Sequence, residues 1–233
     1  MPRDIFELSD VPRFAYPSLE KLDIVQTAAN IQQRLADTAF MSYGAVLSRL
    51  QRTVKGDLTD FVIASELNFY KHGWKNLELQ SVALLLRTAL AGKGTWYRFS
   101  QKPVELLPSV FFRPSIKGIL FTEGQPYAVS INPRKRQPWN SVHQAFIARG
   151  VYEVGCVDDP NDPLPMIIDV SSVDGGKRDL KIRVFDPEQM MPEALFDDIV
   201  RRFFEALALV GIGSVPDKSI SVIDLFRKPR WTP

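Results

Sequence analysis

The chain has 233 residues, enough for one large domain or two closely packed halves, and its 45% apolar and 24% charged content excludes both a disordered chain and a membrane-embedded one. Twenty-nine basic against 27 acidic residues leave a net charge of +2, so any contact with nucleic acid or an acidic membrane has to be local. A single cysteine, Cys156, excludes an intramolecular disulfide, and two histidines are too few for the usual Cys/His zinc site. With no signal-peptide core at the N-terminus and no apolar run of about 18 residues, the expected location is cytoplasmic.

Residues 1–17 carry Pro2, Pro12 and Pro17 and read as an extended arm that lies on another surface and leads to a helix capped by Ser18. A helical subdomain is expected over 18–94. Leu22, Val25, Ala29 and Leu35 place one helix between Leu19 and Phe40, and Val46, Leu47, Leu50 and Val54 place another from Tyr43 to Val54, closed near Gly56. Helical patterning returns from Thr59 to Tyr70, then from Asn76 as N-cap through Leu79, Val82, Leu86 and Leu90 to Gly92. His72 sits at a helix end and reads as a C-terminal cap. A winged-helix reading of 44–132 is disfavoured, because basic residues are not concentrated on the Leu79–Leu90 segment that would enter a DNA groove.

From 95 to 233 the composition predicts an α/β subdomain with a basic C-terminal tail. Thr95–Ser100 and Val110–Asn132 are rich in aromatic and β-branched residues, with a hairpin at Gly118–Thr122 and Tyr127–Ile131 turning on Glu123-Gly124-Gln125. Trp139–Arg149 reads as a helix, and Val151–Val157, Met166–Val173 and Leu180–Phe185 read as a three-stranded meander. A turn capped by Asp186, a long helix from Pro192 to Val210 and a last strand at Ser219–Phe226 complete the chain. The fold class is therefore α+β: a mainly helical N-terminal half, then a mixed or antiparallel sheet with a C-terminal unit of helix, meander, helix and strand over Asn140–Arg227.

Alternation along the meander separates Met166, Ile168, Val170, Leu180, Ile182 and Val184, expected against the long helix, from a polar face. That polar face gathers Glu153, Asp169, Asp179 and Lys181, a set in which carboxylates hold Mg²⁺ and a lysine orients an attacking water. The spacing of Asp169 and Asp179-Leu180-Lys181 across a hairpin resembles the D…(D/E)xK signature of the PD-(D/E)XK nuclease superfamily. The order helix, three strands, helix, strand resembles that family's core, over about 85 residues. The resemblance implies Asp169 and Asp179 as metal ligands, Lys181 as the base, Glu153 as an additional ligand and Mg²⁺ as the one cofactor, though Ile168 stands where the family often has proline.

Basic residues beside an aromatic occur at Arg134-Lys135-Arg136 with Trp139 and at Arg227-Lys228-Pro229-Arg230-Trp231, the pairing that phosphate neutralisation with base stacking requires. No phosphate-loop pattern surrounds Gly175-Gly176 or Gly211-Ile212-Gly213, His143 has no catalytic motif, and Cys156 reads as core. The resulting expectation is a non-catalytic component of a larger nucleic-acid-handling assembly, with a protein partner and DNA or RNA as ligand. The alternative is a Mg²⁺-dependent nuclease.

Overall fold

In the computed structural model the described residues are 4–36, 42–99, 104–107, 110–113, 115–157, 159–172, 176–215, 217, 219 and 221–227. The arm holds a strand β1 (Asp4–Glu7), a 3-10 turn and a one-turn helix α1 (Val11–Phe14). Helices α2 (Ile24–Ala36), α3 (Gly44–Leu47), α4 (Leu50–Lys55), α5 (Asp60–Glu66) and α6 (Gly73–Leu90) follow. Strands β2 (Thr95–Tyr97), β3 (Val104–Leu107), β4 (Val110–Arg113), β5 (Ile116–Thr122) and β6 (Gln125–Asn132) come next. Helix α7 (Ser141–Gly155), strands β7 (Leu164–Asp169) and β8 (Lys181–Val184), and helices α8 (Glu193–Leu209) and α9 (Val222–Arg227) end the chain. The class is α+β.

The main sheet runs β2-β5-β6-β7-β8, with β6 and β7 parallel and the other neighbours antiparallel; a smaller sheet runs β1-β4-β3. Helices α4 and α6 cover one face, and α7 with α8 and α9 covers the other. Adjacent parallel strands joined through a helix are usually buried on both sides. Accordingly Met166, Ile168 and Val170 pack with Val46, Leu50, Leu79 and Leu86 on one side, while Ile167 faces Phe146, Ile147 and Phe196 on the other.

This corrects the expected packing of the meander face on the long helix. Leu180 and Val184 join the same layer as Met166, toward the N-terminal helices, and Ile182 is 47% exposed on the edge strand β8. Two expected strands are also helices. Val151–Val157 is mostly the second half of α7, because Phe146, Ile147, Gly150, Val151 and Val154 recur at helical spacing toward the core. At Gly150 a Cβ would come within 2.0 Å of Leu8 Cδ2, so a larger residue there would have to displace the Leu8 side chain.

Ser219–Phe226 contributes α9 instead of a closing strand. The Asp197 carboxylate on α8 accepts hydrogen bonds from Val222 N, Ile223 N and Ser221 Oγ, capping α9 from outside its own segment. The order helix, three strands, helix, strand therefore does not fall on Asn140–Arg227. Within the main sheet it falls on α6, β2, β5, β6, α7 and β7, from Gly73 to Asp169.

Smaller boundaries moved for local reasons. Asp23, with Oδ1 accepting from Gln26 N at 2.8 Å, takes the capping place expected of Ser18. The Tyr43–Val54 helix is divided at Ser48-Arg49, and His72 precedes α6 as its N-cap residue. Asn76 lies inside α6 with its buried amide bonded to Tyr70 and Asn68. The Glu123-Gly124 turn has both residues at positive φ, 53° and 82°, as a two-residue hairpin connection demands.

The arm is an integral layer. Strand β1 pairs in parallel with β4, and Phe6 and Phe14 lie 6.2 and 6.4 Å from Phe203 of α8, which also meets Phe112 at 6.2 Å. Removing the fully buried Phe203 side chain withdraws the common partner of three rings. Phe203→Ala should cost about 3–5 kcal/mol, and Ile182→Ala at the exposed edge about 0.5 kcal/mol or less. Denaturant titrations of the two variants test this, and equal losses would refute the assignment of the arm contact as core.

Candidate functional site

The ends of the parallel pair β6 and β7 carry a buried carboxylate. Asp169 accepts hydrogen bonds from Ser171 N at 2.9 Å, Asn132 Nδ2 at 3.2 Å and, through its second oxygen, Trp139 N at 2.8 Å. Asn132 completes the tie, donating to Gln137 O at 2.7 Å and accepting from Arg134 N at 3.2 Å. Segment 133–139 is thus fixed at both ends by side chains in the adjacent strands.

Its outer side is fixed by Arg178. That guanidinium donates to Pro133 O at 2.9 Å, Val170 O at 2.7 Å, Tyr43 Oη at 3.1 Å and Glu78 Oε2 at 2.8 Å. Glu78, on the first turns of α6, also receives Lys135 Nζ at 3.0 Å. Burial opposes ionisation of Glu78, but the bonds from Arg178 and Lys135 hold its carboxyl below the usual carboxylate range.

With Lys135 so engaged, Arg134 turns the other way, into a cleft of about 680 Å³ between the arm, the end of α2, α3 and the ends of β4 to β6. Among the described lining residues are five cations, Arg13, Arg34, Arg113, Lys117 and Arg134, against two carboxylates, Glu7 and Asp10, a surplus of three positive charges. Asp10 Oδ1 lies 3.6 Å from Arg13 and 3.2 Å from Arg134, so two guanidiniums share one oxygen. Lys117 Nζ lies 3.2 Å from Glu7 Oε1.

Electrostatics within the cleft reflect this imbalance. Burial, and then the neighbouring Arg134 and Arg34 charges, draw the Arg13 guanidinium down to about 10 despite Asp10. Burial would raise Glu7, yet Lys117 and Arg134 hold it below its ordinary value. Phe14 and Trp139 form apolar walls, each mostly buried, with Tyr43 beside them. The arrangement is a concave, cation-rich pocket with a few polar groups, suited to an anion that carries an apolar or planar portion.

The sequence-predicted residues are distributed over several places. Asp169 is the loop anchor described above. Asp179 and Lys181 stay together, 3.9 Å apart on the exposed edge, with Asp179 Oδ1 also accepting from Leu180 N. Glu153 lies on α7, fully buried, paired with Arg149 at 3.0 Å and Arg227 at 2.6 Å. Lys181 is the cross-strand partner of Asp169 in the β7–β8 pairing, so these two predicted residues are neighbours, whereas Glu153 lies on a helix. Among the described residues no group of three or more His, Cys, Asp or Glu side chains is placed to hold a metal.

Of the basic clusters, Arg134 and Trp139 line the cleft, Arg136 is exposed and Lys135 serves Glu78. Arg227 is tied to Glu153 and Glu193, while Lys228, Arg230 and Trp231 lie outside the described residues. The sequence reading missed Arg13, Arg34, Arg113 and Lys117, since each is isolated in the chain; the Arg113/Lys117 pair around a strand break was the nearest signal. No protein-family model and no curated protein matches the chain. Among the described residues no helix is long and apolar enough to cross a membrane.

The Glu78 latch has a pH signature. In the unfolded chain Glu78 titrates near 4.5 and in the folded chain lower, so its contribution is fully present above 4.5 and is lost as pH falls through the folded value. Urea titrations between about pH 6 and pH 3 should show a smaller acid-induced loss for Glu78→Gln than for the parent chain. Parallel losses in both proteins would contradict the latch.

Proposed function

We propose that the protein is a non-catalytic, nucleic-acid-binding component of a larger assembly, with the cleft around Arg13, Arg34, Arg113 and Arg134 as its phosphate-binding surface. The observation that carries the reading is the surplus of three positive charges among the described lining residues of one concave site of about 680 Å³. Guanidinium groups hydrogen-bond phosphate oxygens with fixed geometry and release counterions when they do so. Membership of an assembly draws support from apolar side chains left in solvent along α6, Trp74, Leu77 and Leu84.

A binding role is favoured over the Mg²⁺ nuclease alternative by two features. Asp169 is 2% exposed and already accepts three hydrogen bonds, from Ser171 N, Asn132 Nδ2 and Trp139 N, which leaves about one of its four acceptor sites for any other ligand. Where the nuclease-like element order does occur, the β5–β6 hairpin carries a single carboxylate, Glu123, at its turn. The strand positions that a D…(D/E)xK pair would occupy hold none.

Fluorescence anisotropy with a labelled single-stranded oligonucleotide tests the proposal. Binding should weaken with salt, with a log–log slope of about −0.7 per phosphate neutralised. Arg113→Ala should reduce the slope by about one such increment, while Lys181→Ala, a residue of the exposed edge strand β8 that does not line the cleft, leaves it unchanged. Loss of binding in Lys181→Ala with none in Arg113→Ala would overturn the placement.

A further inference from the structure

A second, smaller cavity of about 300 Å³ adjoins the cleft, and Arg13, Phe14 and Arg34 line both. Its other described lining residues carry side-chain amides: Asn30, whose Nδ2 donates one of its two hydrogens to Phe14 O at 3.1 Å, Gln33 and Gln137. Side-chain amides offer a donor and an acceptor in one plane, the pairing that reads the edge of a nucleic-acid base. A cavity of this size is at the lower end of small-ligand sites, which run from about 300 to 1,000 Å³, and accommodates one base and no duplex.

Charge separates the two kinds of phosphate such a site could meet. An internal phosphodiester carries a single negative charge, whereas a terminal phosphomonoester carries about −1.5 to −2 at pH 7 and three strong acceptor oxygens. Arg13 and Arg134 already converge on Asp10 Oδ1, and Arg34 lines the cleft beside Arg13. Two guanidiniums, Arg13 and Arg34, therefore stand at the junction of the two cavities, matching in number the two charges of a monoester.

We infer that the junction holds the terminal phosphomonoester of an unpaired nucleic-acid strand, with the terminal base in the amide-lined pocket and the following nucleotides along the larger cleft. The inference rests on the nucleic-acid reading above and specifies which part of the ligand the site recognises. A free nucleotide presents the same phosphomonoester and base. The strand differs in also filling the larger cleft with Arg113 and Lys117 at its wall.

Anisotropy competition distinguishes these cases, using pentanucleotides of one sequence that are 5′-phosphorylated, 3′-phosphorylated or unphosphorylated, together with the mononucleotide. One phosphorylated end should bind at least tenfold more tightly than the unphosphorylated strand and than the mononucleotide. Arg34→Ala should bring the ratio close to one, Arg34→Lys should restore part of it, and circular dichroism should show both variants folded. The ratio should also shrink as pH falls through about 6, where the monoester takes up its second proton.

Equal binding of phosphorylated and unphosphorylated strands would overturn the inference, and the nucleic-acid reading would survive if Arg113→Ala still weakened both. Equal binding of the mononucleotide and the phosphorylated strand would overturn the strand assignment. No binding by any oligonucleotide would overturn both readings together.

Discussion

A carboxylate removed from solvent at the end of a parallel strand pair organises the functional side of this molecule. Asp169 is 2% exposed and accepts three hydrogen bonds, two of them from backbone amides. Taking away one partner of such an arrangement leaves buried groups unsatisfied, which costs about 1–3 kcal/mol for each neutral group and more for a charged one. The Trp139 amide, the Asn132 side chain and the course of segment 133–139 all depend on it. Through that segment, so do the opposite directions of Lys135 toward Glu78 and Arg134 toward the cleft.

The remaining wall of the cleft comes from the other end of the chain. The arm is held by apolar contact, with Leu8 and Val11 fully buried and Phe6 and Phe14 against Phe203. Polar links at Glu7–Lys117 and Asp10–Arg134 then set its register over the sheet. Such partly exposed ion pairs contribute little stability by themselves. Their consequence is positional, because they fix cations around a concavity whose described lining holds five cations against two carboxylates.

Much of the fold is legible in local sequence. The Glu123-Gly124 hairpin turn, the apolar stripe of α8 and its stop at Gly211, where φ is 79°, follow from residue-level chemistry. The failures share one cause, which is contact between distant segments. Val151 and Val154 favour strand locally, but helical packing under the sheet governs them, and α9 is capped by Asp197 of α8. Alternation along β7 suggests one wet face, whereas β7, beside its parallel partner β6, is buried on both faces, Asp169 included. The cleft was illegible for the same reason, since Arg13, Arg34, Arg113 and Arg134 are assembled only by the tertiary fold.

The central claim is that nucleic-acid phosphate is bound in the cleft and not on the polar edge that carries Asp179 and Lys181. Ultraviolet crosslinking of a short unpaired oligonucleotide, followed by mass-spectrometric mapping of the adducts, addresses it directly. The account predicts adducts in the peptides that contain Arg13-Phe14 and Arg134–Trp139. Adducts confined to the segment from Asp179 to Arg183 would contradict it.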